Sequence, residues 1–131
     1  MKTDKSQQLL ERSRRVIPGG ISSNVRANWE PFPLFYERGE GSRVWDADGN
    51  EYIDYVLGRG PLLLGHSPRA VIEAVTAQFQ KGLMYAGQTE WEILAAEKIC
   101  ELVPGAEMVR FASSGSESVH AALRLARAVT G

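Results

Sequence analysis

The pattern of apolar and polar positions changes near the middle of the chain. After His66, apolar residues recur at spacings of three and four, which predicts amphipathic helices. The first of these helices has Ser67 as its N-cap and Pro68 as its first residue, and it ends at Gly82. The second opens with the capping-box pattern Thr89-Glu90-Trp91-Glu92 and ends before Pro104.

The N-terminal half has a different pattern. A helix with a thin apolar stripe is predicted from Thr3 to Val16, and such a polar helix is typical of a surface arm docked on another element or subunit. Residues 21–33 read as a loop. Three short β-type runs then predict a small antiparallel meander: Leu34–Tyr36, Arg43–Trp45 and Glu51–Val56. Asp48-Gly49 between the last two favours a tight turn, and residues 57–66 are expected to form a close-packed crossover.

The run from Glu107 to Ala112 predicts a buried strand, followed by a turn and a last helix that opens near Glu117. The fold class is therefore α/β, with an N-terminal arm and small sheet in residues 1–65 and the beginning of a larger α/β domain in residues 66–131. One strand cannot form a sheet alone. We therefore expect the α/β domain to be incomplete at Gly131.

Composition and charge argue against several classes of function. The chain is 44% hydrophobic and 24% charged, as in ordinary globular domains, and its net charge of -1 argues against nucleic-acid binding. The single cysteine, Cys100, forms no zinc-like spacing with the two histidines. No export signal and no membrane-length apolar run are present, so we expect a soluble cytoplasmic protein without a metal.

Two readings apply to the turn Ser113-Ser114-Gly115-Ser116-Glu117. The helix N-terminus, the small residue Gly115 and the hydroxyls of Ser114 and Ser116 would suit one phosphate group. No Gly-x-x-x-x-Gly-Lys or Gly-x-Gly-x-x-Gly pattern indicates a larger nucleotide. The same segment is a Ser-x-x-Glu capping box that needs no ligand, and the two readings can coexist.

Two arginines are candidate binding residues. Arg26 is a loop arginine, and a guanidinium can grip a carboxylate with two hydrogen bonds, although most loop arginines are merely solvated. Arg59 lies between two glycines in an apolar stretch, where partial burial would call for a carboxylate partner. That partner could be a ligand, or it could be Asp54 or Glu51 for purely structural reasons.

Several motifs together resemble the class III aminotransferases, and within them the glutamate-1-semialdehyde aminomutase branch. They are Pro18-Gly19-Gly20, Val25-Arg26, the run from Val44 to Tyr55, Gly60-Pro61, Gly65-His66, the run from Phe111 to Glu117, and the run from Ala121 to Arg127. The resemblance covers nearly the whole chain. It implies the fold-type I architecture of enzymes that use pyridoxal 5'-phosphate (PLP), with amino-acid and oxo-acid substrates and a homodimer.

The resemblance also implies residue roles. Ser114, Gly115 and Ser116 match the segment that holds the PLP phosphate, with serine in place of threonine at 116. Arg26, with Ser23 and Val25 beside it, matches an arginine that can bind the substrate carboxylate. Arg59 stands where the aminomutase branch usually has tryptophan, and its charge would suit a substrate with a second acidic group.

PLP chemistry needs a Schiff-base lysine, which the family carries downstream of the phosphate motif. The four lysines here, Lys2, Lys5, Lys81 and Lys98, all precede that motif. We therefore expect an N-terminal fragment of an aminotransferase or aminomutase that is inactive alone. The alternatives are a non-catalytic dimerisation or binding remnant of that family and a phosphate-binding module unrelated to PLP.

Overall fold

The structure is a computed structural model that describes residues 1–131, and it divides into two compact units, Met1–Leu83 and Met84–Gly131. The first unit has three α-helices and three strands: α1 (Asp4–Arg14), α2 (Asn24–Ala27), β1 (Tyr36–Glu40), β2 (Arg43–Asp46), β3 (Glu51–Ile53) and α3 (Arg69–Phe79). It also has two short 3-10 helices, Pro18–Gly20 and Leu57–Arg59. The second unit contains α4 (Glu90–Leu102) and α5 (Gly115–Thr130).

The strands form one antiparallel sheet in the order β1-β2-β3, which confirms the predicted meander. Val44 in the central strand lies opposite Gly39 on one side and Tyr52 on the other, and it is one of the few buried apolar residues. The predicted bounds differ at the edges. β1 begins at Tyr36 rather than Leu34, and β3 ends at Ile53 because Asp54 turns away to bond the following backbone.

A buried carboxylate holds the turn between β2 and β3. Asp46 is 1% exposed and accepts hydrogen bonds from the backbone N–H groups of Asp48 and Asn50, the Asn50 amide and the Tyr52 hydroxyl. Burial would favour the neutral acid, but these bonds outweigh it and hold the pKa of Asp46 below its ordinary value. Burial and the bond to Asp46 together raise the pKa of Tyr52 to about 12.

The α1 arm docks on that turn, as the sequence predicts for a polar N-terminal helix. The backbone N–H groups of Lys5 and Ser6 donate to the Asp48 carboxylate at 2.8 and 3.0 Å, and the Ser6 hydroxyl donates to it as well. Thr3, the N-cap residue, makes no side-chain cap. The Asp48 carboxylate therefore accepts from first-turn N–H groups of α1 that no N-cap side chain satisfies.

The entry into α3 differs from the prediction by one residue. Pro68 is the N-cap rather than the first helical residue, and Ser67 has a φ of 53°. The Ser67 hydroxyl donates to the Gly39 carbonyl at 3.0 Å, so it ties α3 to the sheet instead of capping the helix.

In the second unit the predicted strand at Glu107–Ala112 is wrong: these residues belong to no helix or strand. Extended chain becomes a strand only by pairing with a neighbour, and the unit 84–131 offers none. The predicted burial is also wrong, since Met108 is 89% exposed. Thr89 begins α4 as predicted but makes no side-chain cap.

The helices carry exposed apolar faces. The exposed residues on α3 are Val71, Ile72, Val75 and Phe79, and those on α5 include Val119 and Leu123. The predicted stripes are therefore present, but within residues 1–131 they cover no core. No helix is both long enough and apolar enough to cross a membrane.

Candidate functional site

The N-terminus of α5 is built as the predicted capping box. Ser114 is the N-cap in extended conformation, and its hydroxyl oxygen accepts a hydrogen bond from the Glu117 N–H at 3.3 Å. The Glu117 carboxylate folds back and accepts from the Ser113 N–H at 2.8 Å. The Ser114 half of the capping box is therefore made, while Glu117 folds back onto the N–H of the residue before the N-cap rather than that of Ser114 itself. The local interpretation of this motif as a helix cap is confirmed in this variant form.

The capping box leaves two backbone donors open. Gly115 and Ser116 are the first two helical residues, and N–H groups at these positions have no acceptor inside the helix. A Cβ added at Gly115 would meet nothing within 4 Å, so the space beside these donors is open. Because α5 is 16 residues long, its dipole places partial positive charge at this point. The arrangement fits a single phosphate, with the Ser116 hydroxyl as a further donor.

Sequence reasoning assigned no role to two arginines of the same unit, Arg110 and Arg124. Arg110, His120 and Arg124 line an open cavity of about 500 Å³ that Glu117 also borders. The two guanidinium groups make no ion pair with the described residues. The four-residue spacing of His120 and Arg124 places both on one face of α5, and that spacing was the available signal.

Arg26 lies in α2, a single helical turn inside the segment predicted to be a loop. Ser23 caps this turn, since its hydroxyl oxygen accepts from the Arg26 N–H at 3.3 Å. Val25 is 53% exposed beside it. The Arg26 side chain is exposed and makes no ion pair, so its guanidinium is available to a carboxylate.

Arg59 differs from its prediction in burial and in partner. It is exposed rather than partly buried. The two carboxylates that could have neutralised it are engaged elsewhere, because Glu51 pairs with Arg43, and Asp54 bonds His66. Arg59 makes no ion pair of its own, which removes the purely structural explanation for its charge.

The backbone around Arg59 is strained. Four consecutive residues have left-handed φ angles: Leu57 at 50°, Gly58 at 59°, Arg59 at 69° and Gly60 at 111°. Glycine adopts these angles freely, but each non-glycine residue costs about 1–3 kcal/mol there. Such strain persists only where surrounding contacts fix the chain, and it concentrates at functional sites.

Asp54 and His66 fix this turn. One oxygen of the Asp54 carboxylate accepts from the backbone N–H groups of Val56 and Leu57, at 2.8 and 3.1 Å. The other lies 2.7 Å from His66 Nε2. This last bond is the main reason why the pKa of Asp54 is held below its ordinary value. His66 was expected only to introduce a helix, and its pairing with a residue twelve positions away carries no local signal.

The candidate residues thus form three local groups. Ser114, Gly115 and Ser116 lie in the second unit, whereas the cap of α2 with Arg26 and the turn with Arg59 lie in the first. Each group is preorganised by backbone hydrogen bonds of its own segment.

Comparison with known proteins gives a family match. The family model described as aminotransferase class-III matches residues 25–130. A glutamate-1-semialdehyde 2,1-aminomutase of Chloroflexus aurantiacus is 53% identical over 129 residues. That alignment covers 97% of this chain and 29% of the relative, so the chain spans less than a third of the relative's length.

Two solved structures that this chain is similar to are also transaminases. An omega-transaminase from Sphaerobacter thermophilus superposes with a TM-score of 0.89 and 42% identity, over 95% of this chain and 28% of its own. A transaminase with PLP bound has a TM-score of 0.91 and 37% identity, over 98% of this chain and 30% of its own.

Proposed function

The chain belongs to the class III aminotransferase family, and from that premise we propose that residues 1–131 supply the phosphate-binding turn and the carboxylate-binding arginines of a PLP-dependent aminotransferase or aminomutase. The observation that carries the proposal is the pair of open N–H donors at Gly115 and Ser116, beside open space at the start of a 16-residue helix. The superposition of this chain, with its small antiparallel sheet, on solved transaminases agrees with it.

The phosphate end of the cofactor would lie on the open donors. Each backbone N–H would donate to a phosphate oxygen, and the Ser116 hydroxyl would add a third bond. The Glu117 carboxylate bonds the Ser113 N–H, so the capping box draws the nearest negative charge back onto the backbone. When bound, PLP supplies the electron-withdrawing ring that lets an amino group leave one carbon and be accepted by another.

The arginines would hold the substrate. Arg26 would bind the carboxylate of the amino or oxo acid, with Ser23 fixing its turn and Val25 offering apolar contact. Arg59 would receive a second acidic group, since no carboxylate of the described residues neutralises it. We propose that all these residues contribute to one active site in a cytoplasmic homodimer.

The remainder of the machinery would come from other parts of the enzyme. The relatives are more than three times longer than the matched segment, and all four lysines of residues 1–131 precede the phosphate turn. We therefore propose that the catalytic lysine lies outside these residues, that the segment alone is inactive, and that residues 66–131 begin the larger domain.

The test is PLP affinity in the full-length protein. Ser116→Ala should weaken PLP binding about tenfold, because one bond to a charged group is lost. Ser118→Ala is the matched control, since this serine lies on the same helix but outside the open N-terminus. Borohydride should trap a cofactor adduct in the wild type. Equal PLP affinities for the two variants, or no trapped adduct, would contradict the proposal.

A second candidate, a non-catalytic binding or dimerisation module of the family, is favoured by the exposed apolar faces of α3 and α5. Sedimentation of the purified full-length protein separates the two. Self-association without any uptake of PLP would favour the module, and uptake of PLP would favour the enzyme.

A further inference from the structure

The strained turn from Leu57 to Gly60 has an anchor at its entry. Within it, the Arg59 N–H donates to the Val56 carbonyl, and the Gly60 and Leu62 N–H groups donate to the Leu57 carbonyl. These short-range bonds close the turn but do not attach it to the sheet. Two contacts of Asp54 attach it. The Asp54 N–H donates to the Ser42 carbonyl at 2.8 Å, and the Asp54 carboxylate accepts from the backbone N–H groups of Val56 and Leu57 and bonds His66 through its other oxygen.

His66 is itself held in place by contacts with Gly41 and Gly39 of the sheet. Its backbone N–H and carbonyl both bond Gly41, at 2.8 and 3.0 Å, which makes an isolated antiparallel bridge at the end of β1. Its ring packs against Gly39 so closely that a Cβ on that residue would lie 2.6 Å from it. These contacts fix the ring and the backbone of His66 relative to the sheet. The Asp54 carboxylate, which bonds the ring, is thereby held in place as well.

The turn that these contacts hold carries Arg59, whose guanidinium makes no ion pair. We infer that Asp54 and His66 are positioning residues, which hold the strained turn so that Arg59 presents its charge to a second acidic group of the substrate. The inference rests on the proposed role of Arg59 in substrate binding. It goes beyond that role by stating which residues determine specificity without touching the substrate.

Two variants of His66 test the hydrogen bond between His66 and Asp54. His66→Gln keeps an N–H donor near the position of Nε2, whereas His66→Leu has similar volume and no donor. Asp54→Ala removes both carboxylate oxygens that hold the turn and bond His66, and Arg59→Met removes the guanidinium itself. Glu73→Gln is the matched control, because it breaks the exposed ion pair with Arg69 in the same unit.

The experiment measures binding of glutarate and pentanoate to the full-length, PLP-loaded protein by calorimetry. These acids have the same chain length and differ in one carboxylate. The wild type should prefer glutarate roughly tenfold, as one bidentate pair with a charged group supports. Arg59→Met, Asp54→Ala and His66→Leu should remove most of that preference, while His66→Gln and Glu73→Gln should retain it.

The double variant separates positioning from general support of the fold. Adding His66→Leu to Arg59→Met should cause no further loss, because both changes act through the same guanidinium. Hydrogen exchange of the peptide spanning residues 55–62 should be faster in His66→Leu than in His66→Gln. This readout needs neither ligand nor activity.

Three results would overturn the inference. They are a wild type without preference for glutarate, equal weakening of both acids by His66→Leu, and unchanged exchange in residues 55–62. Failure of the proposed function gives a different result, because the wild-type protein would then take up no PLP. In that event the exchange experiment still decides whether Asp54 and His66 hold the turn.

Discussion

Replacing Gly115 by alanine should separate helix stability from cofactor binding. Gly115 begins α5 without a left-handed φ, and an added Cβ would meet nothing within 4 Å. Alanine therefore fits the folded chain, and it restricts the unfolded chain more than glycine does. The substitution should raise the free energy of unfolding of the cofactor-free protein by about 0.4–1 kcal/mol.

The same methyl group should weaken PLP binding. It would occupy the space beside the two open N–H donors, so the phosphate could no longer approach both. Loss of one hydrogen bond to a charged group costs about 1.5–3 kcal/mol, which corresponds to a rise in Kd of roughly 10- to 150-fold. The two effects have opposite signs, so a general loss of structure cannot produce them together.

The assay titrates cofactor-free, full-length protein with PLP and follows the change in cofactor absorbance, with urea unfolding in parallel. Gly87→Ala is the control, because Gly87 lies in the same unit, has no left-handed φ, and also has open space around its missing Cβ. It should leave the Kd for PLP unchanged. An unchanged Kd in Gly115→Ala would refute the phosphate site, and a loss of stability would refute the described geometry.

Two further predictions concern the sheet. Asp46→Asn should lower the free energy of unfolding by about 2 kcal/mol at neutral pH, because a buried acceptor of four hydrogen bonds is altered. The lowered pKa values of Asp46 and Asp54 mean that the folded state binds fewer protons than the unfolded state, so their stabilisation is present above pH ~4 and is lost as pH falls below it. Urea unfolding from pH 6 to 2.5 should thus show a shallower decline for Asp46→Asn, and parallel curves would contradict the assignment. Gly39→Ala should lower the unfolding midpoint by forcing the His66 ring to move, at a cost of about 1–3 kcal/mol, whereas Gly87→Ala should not; equal midpoints would show that the ring is not held there.

What the sequence predicts depends on how local the interaction is. The capping box at Ser114 and Glu117 is complete within a few residues, and so is the Asp48-Gly49 turn, so pattern alone indicates both. The four longer helices follow from the spacing of their apolar residues, with errors of one to three residues at their ends, whereas the single turn α2 lies in a segment predicted to be a loop.

Interactions between distant residues escape such reasoning. Nothing in the neighbourhood of His66 indicates Asp54 as its partner, and the pairing of Glu51 with Arg43 removes a partner that Arg59 could have had. Glu107–Ala112 has the composition of a strand, but composition supplies no neighbouring strand. The exposure of Arg59 likewise follows from a turn geometry that a single sequence does not encode in a recognisable motif.

The docking of α1 on Asp48 imposes an order on folding. The helix is synthesised before the sheet, yet the carboxylate that receives its first-turn N–H groups is made 42 and 43 residues after Ser6 and Lys5. Asn50, which bonds the backbone of Lys2 in both directions, is made later still. A short isolated helix is marginal in water. The α1 arm therefore gains its full stability only after the β2–β3 hairpin has formed, and although it is synthesised before that hairpin it reaches its final structure later.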